Sequence, residues 1–362
     1  MTNLPEKMHG MVLTGHGGPE RIEWREDLPV PSLGKDDVLV RVGAASVNNT
    51  DINTRIGWYS KSVRSDTQSG ADAGFDNTVS SDGSWSGEAL PFPRIQGADC
   101  CGEIVAVGKG VSPDRVGERV LVRTLQPRQN PDGSFYTTTL GSESDGAFAQ
   151  FMATASEDAI AVKSDLSDVE LASFPCAFST AEGMIQRGSL GENGRVERVL
   201  ITGASGGVGS AAIQLAKRRG AHVTAVTSAA KADEIRALGA DATLARDDAV
   251  PQQAFDIILD LVGGPRWPEL LDGLRVGGRY VTAGAIAGPI VELDLRTLYL
   301  RDLSFFGCCY QPPKVFTDLV RYIEAGEIRP VMAKTFDLRD LHAAQDAFVS
   351  KSHIGKIGIT VG

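Results

Sequence analysis

The chain has no run of about 18 consecutive apolar residues, which excludes an ordinary membrane-spanning helix. It also lacks any long basic run, and 36 Lys and Arg against 46 Asp and Glu leave a net charge of −10. Binding to nucleic acid or to an anionic membrane is therefore not expected. The first eight residues hold no apolar core of the kind a secretory signal needs, so a cytoplasmic location is the expectation. Cysteine is scarce, with only Cys100, Cys101, Cys176, Cys308 and Cys309. Two vicinal pairs and a singleton make no disulfide framework, and none shows the C-x-x-C spacing of a thiolate zinc site. Small, buried, apolar thiols are the reading they support.

What is present points to a nucleotide. A length of 362 residues leaves room for two domains. In the second half, apolar segments at 199–203, 221–227, 242–244, 255–262, 279–285 and 303–309 alternate with helical stretches. Strand–helix alternation at this spacing predicts an α/β fold with a doubly wound parallel sheet. Its first strand runs into Gly203-Ala204-Ser205-Gly206-Gly207-Val208-Gly209 and then into a helix. Unpaired N–H groups and the positive end of a helix dipole converge at such a turn and favour a pyrophosphate. Gly206 is expected to let the backbone approach the phosphates, and Gly209 to let the helix pack on the strand. Ala204 stands where the usual fingerprint has its first glycine.

Cofactor choice is read from the second strand. An NAD site carries a carboxylate there to hold the ribose 2′-hydroxyl. This strand ends instead in Thr227-Ser228-Ala229-Ala230-Lys231. A hydroxyl and a cation suit a 2′-phosphate, so NADPH is the expected cofactor; the alternative is that Ser228 only caps a helix and Lys231 is solvated. Arg246 is placed to flank the adenine end. Val262, Gly284 and Ala285, at or beside the ends of strands 255–262 and 279–285, complete the expected cofactor set.

The first half is β-like, punctuated by Pro and Gly. Residues 46–59 are dense in polar groups after an apolar strand. They read either as a turn capped by Asn49 or Thr50 into a helix, or as a site wall in which the Tyr59 phenol exchanges a proton. Residues 61–88 are rich in Ser, Asp and Gly, with Phe75 and Trp85 as their only aromatics. Such a polar insertion is expected to be a flexible surface excursion. Residues from about 310 to the end are expected to return and complete the first domain. The domains expected are thus 1–160 with 310–362, carrying the 61–88 insertion, and 161–309 for the dinucleotide.

Taken together, Val47-Asn48-Asn49-Thr50-Asp51 with Arg55 and Gly57, Gly97-Ala98-Asp99 through Gly102, Gly117-Glu118-Arg119-Val120, Gly146-Ala147-Phe148-Ala149, Thr180-Ala181, the turn Ala204 to Gly209, and Gly355-Lys356-Ile357 resemble the medium-chain dehydrogenase/reductases, in their zinc-free quinone oxidoreductase (zeta-crystallin-like) branch. The resemblance spans nearly the whole chain, and in that family Ala at the first fingerprint position is normal. It implies a GroES-like catalytic domain made of both chain ends around a Rossmann domain, with a small-molecule substrate in the cleft between. It places Thr180 beside the nicotinamide and Asn48 near the reacting group. The positions that hold catalytic zinc elsewhere in the superfamily are read here as Asn49, Ala98 and Cys176, and 121–145 contains no cysteine, so no metal is expected. Without one, the natural reaction is hydride transfer to an acceptor that delocalises charge, a quinone or another activated enone. Tyr59 is the candidate acid. The Asn48…Asp51-Ile52-Asn53…Gly57…Tyr59 spacing also resembles enoyl-thioester reductases, which makes 2-enoyl-CoA reduction the alternative. A protein that binds NADPH with little catalysis is a third. The apolar strand 303–309 would lie at the sheet edge and, by resemblance, pair two subunits.

Overall fold

Six short strands form a wholly parallel sheet in the order Ala242–Leu244, His222–Val226, Arg198–Ile201, Phe255–Asp260, Leu274–Thr282, Ser304–Gly307. The first strand in sequence is central, and the order reverses direction beside it, the arrangement that opens a crevice at the strands' carboxyl ends. Phe255–Asp260 is buried along its whole length, as expected of a strand covered on both faces. The edge strand Ser304–Gly307 is shorter than the apolar run 303–309 suggested. The computed structural model describes residues 4–79 and 81–362; residues 1–3, and Ser80 within the 61–88 insertion, lie outside the described residues.

The remaining strands build a β-rich unit. Its longest strand, Asp37–Val47, pairs antiparallel with Cys100–Val107, Phe151–Ala155 and the C-terminal Lys356–Thr360. The chain end is therefore a structural member of the sheet that the first hundred residues begin, and Ile357 and Ile359 sit fully buried in the same core as Val38, Val40 and Phe148. A second sheet joins Ile22–Pro29, Lys7–Leu13 and Arg94–Ile95, and a separate hairpin joins Leu125–Gln129 to Phe135–Thr139.

The chain divides into two units. One runs to Val63, resumes over Gly70–Cys176 and ends with Pro312–Gly362; the other is Arg64–Ser69 with Ala177–Gln311. The break falls at 176/177 rather than 160/161. The reason is the short helix Asp168–Leu171, which packs on Asp37–Val47, Cys100–Val107 and Lys356–Thr360. Arg119 Nε donates to Asp168 at 2.8 Å and Ser46 Oγ to the Ala172 carbonyl at 3.1 Å, so 161–176 stays with the β-rich unit.

The 61–88 insertion is not the loose excursion its composition suggests. Asn77 Nδ2 donates to the Ser62 carbonyl at 2.7 Å, Lys61 N–H to Asp82 at 2.9 Å and Val79 N–H to Ser60 Oγ at 3.2 Å. The fully buried Arg55 guanidinium donates to the Gly17 and Ala71 carbonyls, both at 3.0 Å. Thr67 N–H meets the Ile286 carbonyl at 3.0 Å within the second unit. Small polar side chains that satisfy one another and the backbone hold the segment without an apolar core of its own.

Candidate functional site

In the second unit the glycine turn links Arg198–Ile201 to the helix Gly207–Arg218. Gly203 takes a left-handed φ of 58°, which a side chain rarely tolerates. At Gly209 a Cβ would lie 2.3 Å from the Gly203 carbonyl oxygen, so only glycine lets the helix sit this close to the turn. Gly206 is exposed, and a Cβ there would meet only the Gly203 oxygen at 3.4 Å. It caps the helix without a side chain, which leaves the first N–H groups open to an anion.

The other expected cofactor residues gather around the same strand ends. Val262 lies 3.3 Å from where a Gly203 Cβ would be, and Ala285 lies 3.2 Å from a Cβ at Gly263. Gly284 comes within 2.9 Å of the Leu261 carbonyl on the same measure. Ala204 is fully buried, Ser205, Gly207 and Val208 half-buried at the helix start. Thr227 Oγ1 is buried and has no hydrogen-bond partner within the protein, as a group that meets a cofactor would. Ser228 does not cap the helical turn that follows with its side chain. Burial lowers the Lys231 ammonium below its usual range, and the Arg246 cation beside it acts in the same direction. Two cations within electrostatic reach of each other, one after His222–Val226 and one after Ala242–Leu244, suit a phosphate. These residues fit a nicotinamide dinucleotide.

One member of this crevice was missed from sequence. Asp260, fully buried at the end of its strand, accepts from Thr202 Oγ1 and the Tyr280 hydroxyl, both at 2.5 Å, and from Val262 N–H at 3.0 Å. Thr202 Oγ1 in turn accepts from Leu261 N–H at 2.9 Å. The carboxylate thus ties the glycine turn to the neighbouring loop. A lone Asp before Leu-Val-Gly-Gly was the only signal.

The β-rich unit holds a second polar group. Asp37–Val47 ends and Asn48 begins the helix Asn49–Ile56, with Asp51 accepting from the Asn48 N–H at 2.8 Å. The cap is thus Asn48, not Asn49 or Thr50. Asn48 Nδ2 donates to Asp99 at 2.7 Å and to the Ser46 carbonyl at 3.2 Å, so both amide hydrogens are engaged. Lys356 Nζ donates to Asn48 Oδ1, to Asp99 at 2.9 Å and to the Val47 carbonyl at 3.1 Å. Asp99 also accepts from Ser46 Oγ and, at 2.6 Å, from the Cys176 N–H. Lys356 is 3% exposed and Asp99 0%, a desolvated ion pair in a fully hydrogen-bonded setting. Asn48 therefore has no amide hydrogen left for a ligand. Lys356 and Asp99 stood in quoted motifs but received no role from sequence.

Beside this group, Asp51 accepts from Gly97 and Ala98 N–H, each at 3.2 Å. Burial pushes its carboxyl up to about 7, with Asp99 adding to the rise and the Asn48 N–H, Lys356 and the Gly97 N–H opposing it. Asn49 does not join the group; its side chain accepts from Lys351 at 3.0 Å. The asparagine that meets Asp99, and through it Cys176, is Asn48, which corrects the position read from sequence. Burial pushes the Cys176 thiol well up, with Asp99 adding to the effect and Lys356 opposing it. Cys100 and Cys101 are buried as expected, whereas Cys309 is exposed. Tyr59, half-buried, donates to Thr50 Oγ1 at 3.3 Å. Burial raises its phenol far above the ordinary range, while Thr50 and Asn53 pull the other way. Its ring meets Trp58 edge-on at 5.7 Å and Trp85 at 6.5 Å. Thr180, half-buried on the helix Pro175–Arg187, belongs to the second unit, whereas Tyr59 and Asn48 belong to the first.

Residues 34–164 match the alcohol dehydrogenase GroES-like domain, and residues 207–325 the zinc-binding dehydrogenase family. A candidate alcohol dehydrogenase from Sinorhizobium meliloti 1021 has a solved structure 40% identical to this chain, covering 99% of it and 98% of the other, with a TM-score of 0.86. The chain belongs to the medium-chain dehydrogenase/reductase superfamily. It is similar to the acryloyl-coenzyme A reductase of Sulfurisphaera tokodaii, 28% identical over 94% of this chain and 97% of the relative. It is similar also to the chloroplastic NADPH-dependent alkenal/one oxidoreductase of Arabidopsis thaliana, 25% identical over 91% of this chain and 73% of the relative. Superfamily membership makes the chain an oxidoreductase with a nicotinamide cofactor.

The matched dehydrogenase family raises zinc, and the residues present do not fit it. A catalytic zinc needs three protein ligands and an open position. Ala98 offers no donor atom, the Asn48 Oδ1 is taken by the Lys356 ammonium, and that same ammonium pairs with Asp99, which accepts from the Cys176 N–H. Among the described residues, no three His, Cys, Asp or Glu side chains are grouped to hold a metal ion. Among the described residues, no helix is long and apolar enough to cross a membrane.

Proposed function

We propose that the chain reduces a double bond conjugated to a carbonyl, in an activated enone or a quinone, with NADPH and without zinc. The observation that carries the reading is Tyr59: a half-buried phenol oriented by Thr50 and flanked by Trp58 and Trp85. NADPH, when bound, supplies a hydride. Addition at the β-carbon places negative charge on the conjugated carbonyl, and the product then requires one proton. Tyr59 holds that proton at Oη. Asp99, paired with Lys356, holds Asn48 and the Cys176 N–H, so the start of the helix Asn49–Ile56 that leads to Tyr59 is set before substrate arrives. Preference for NADPH is supported by the paired Lys231 and Arg246 and by the absence of a carboxylate after Val226.

A second reading has its own support. Acryloyl-coenzyme A reductases of Sulfurisphaera tokodaii and Metallosphaera sedula align over 94% and 98% of this chain, at 28% and 27% identity. An enoyl thioester needs the same hydride and the same proton, so Tyr59 keeps its role. The test is NADPH oxidation by EDTA-treated protein with but-3-en-2-one, 1,4-naphthoquinone and crotonyl-CoA, for parent and Tyr59→Phe. Loss of a proton donor costs about 10²–10⁴-fold, and that loss is expected on but-3-en-2-one, with a smaller one on the quinone. A clear preference for crotonyl-CoA moves the assignment to the thioester. Parental rates in Tyr59→Phe remove Tyr59 as the acid. Tight NADPH binding with no turnover of any acceptor removes the enzymatic reading.

A further inference from the structure

The insertion 61–88 brings two aromatic side chains, and the fold uses them differently. Phe75 packs against the hydrophobic core of the β-rich unit, as Trp58 does. Its ring occupies the space beside Gly70, where a Cβ would lie 2.4 Å away. Trp85 is not among the residues of that core and is half-buried. Its indole meets the edge of the Tyr59 ring, centroids 6.5 Å apart and planes at 68°.

The backbone that presents Trp85 is pinned on both sides. Trp85 N–H donates to Ser142 Oγ at 3.1 Å, and Ser86 N–H to Glu143 Oε1 at 2.9 Å. Ser84 closes the turn: its N–H meets the Glu88 carbonyl at 2.9 Å, and its Oγ accepts from the Glu88 N–H at 3.1 Å. Glu143 is itself anchored, accepting from the Thr139 N–H at 3.1 Å. The half-buried indole gains stability from the area it covers, and where that area sits is what bears on the site. Here a rigid backbone delivers it to the one phenol able to supply a proton in the proposed reaction.

We propose that Trp85 is a specificity-determining residue of the Tyr59 site and narrows it to compact acceptors, those with a short chain or none beyond the conjugated carbonyl. The inference rests on Tyr59 as the proton donor. The Tyr59 hydroxyl points to Thr50 at 3.3 Å. A carbonyl must approach Oη alongside the phenol, with Trp58 on one part of its rim and the indole on another. Each methylene that an apolar wall admits or refuses is worth about 10–200-fold in discrimination.

The experiment is kcat/KM at saturating NADPH for vinyl ketones of rising chain length, from but-3-en-2-one to oct-1-en-3-one, in the parent, Trp85→Phe, Trp85→Ala and Tyr59→Phe. The parent is expected to prefer the short ketone. Trp85→Ala is expected to raise the long-to-short ratio at least tenfold, mainly through a lower KM for the long ketone, with Trp85→Phe between. A ratio unchanged within twofold in both variants, with equal losses along the series, makes Trp85 purely structural and overturns the inference. A parent that prefers the long ketone overturns it as well. Should Trp85→Ala not fold, Trp85→Phe still reads the ratio. Tyr59→Phe at parental rates defeats the Tyr59 reading, whereas an inactive Tyr59→Phe with an unmoved Trp85 ratio defeats the specificity inference alone.

Discussion

Replacing Lys356 by Met tests the buried polar group on which the β-rich unit's site is built. Lys356 is 3% exposed and donates to Asp99, Asn48 and the Val47 carbonyl. Methionine keeps most of the side-chain volume and removes the charge and all three donations. Asp99 would keep Ser46, Asn48 and the Cys176 N–H but lose its counter-ion in a site with no solvent. Breaking one half of a buried pair costs about 3–5 kcal/mol. For a unit of some 200 residues, each kcal/mol moves the melting temperature by roughly 2–4 °C, so a fall of about 6–20 °C is expected. Thermal denaturation followed by circular dichroism reads it. Lys356→Met with Asp99→Asn removes both charges, and is expected to recover at least about 1.5 kcal/mol of the loss, the coupling a contacting pair shows in a double-mutant cycle. A single variant melting within 2 °C of the parent, or a double variant no better than the single, would refute the reasoning.

Three other outcomes are expected. Lys231→Ala should raise the NADPH dissociation constant about tenfold, the worth of one charge-assisted hydrogen bond, and leave NADH binding unchanged; fluorescence titration with both cofactors checks this, and equal efficiency with both in parent and variant would remove the 2′-phosphate assignment. Asp51, its folded carboxyl raised from 3.8 to about 7 chiefly by burial, favours the fold when protonated, so its contribution is complete below pH 4 and is lost as pH climbs to about 7; urea denaturation across that range should show a falling component that Asp51→Asn abolishes, and identical pH profiles would contradict it. Finally, Ser304–Gly307 is the open edge of the parallel sheet, and Cys308 N–H already faces Thr282 at 2.9 Å, so alternation turns the Gly307 N–H outward. Sedimentation is expected to give a dimer that Gly307→Pro converts to monomer; a monomeric parent would exclude edge pairing.

The parallel sheet and its glycine turn were legible because their signals are local: apolar runs at regular spacing, a turn rich in glycine, and a missing carboxylate after Val226. Residues whose roles depend on distant partners were not. Lys356 and Asp99 lie 257 positions apart, and nothing in either neighbourhood marks them as a pair. Asn48 and Asn49 are adjacent and chemically identical; the backbone geometry of the helix start alone decides which one meets Asp99 and which meets Lys351. The polar composition of 61–88 suggested mobility because hydrogen bonds such as Asn77 to Ser62, or Arg55 to Ala71, leave no periodic trace. The same is true of the unit boundary, set by where the helix Asp168–Leu171 packs rather than by where strands give way to helices.

The central claim is conjugate reduction from NADPH with Tyr59 as the acid. The measurement that tests it most directly is the product formed from an enone with NADPH deuterated at the transferred position, read by mass spectrometry and NMR. The expected product is a saturated ketone with one deuterium on the β-carbon, formed by the parent and sharply slowed in Tyr59→Phe. An allylic alcohol with deuterium on the carbonyl carbon, or a Tyr59→Phe protein as fast as the parent, would contradict it.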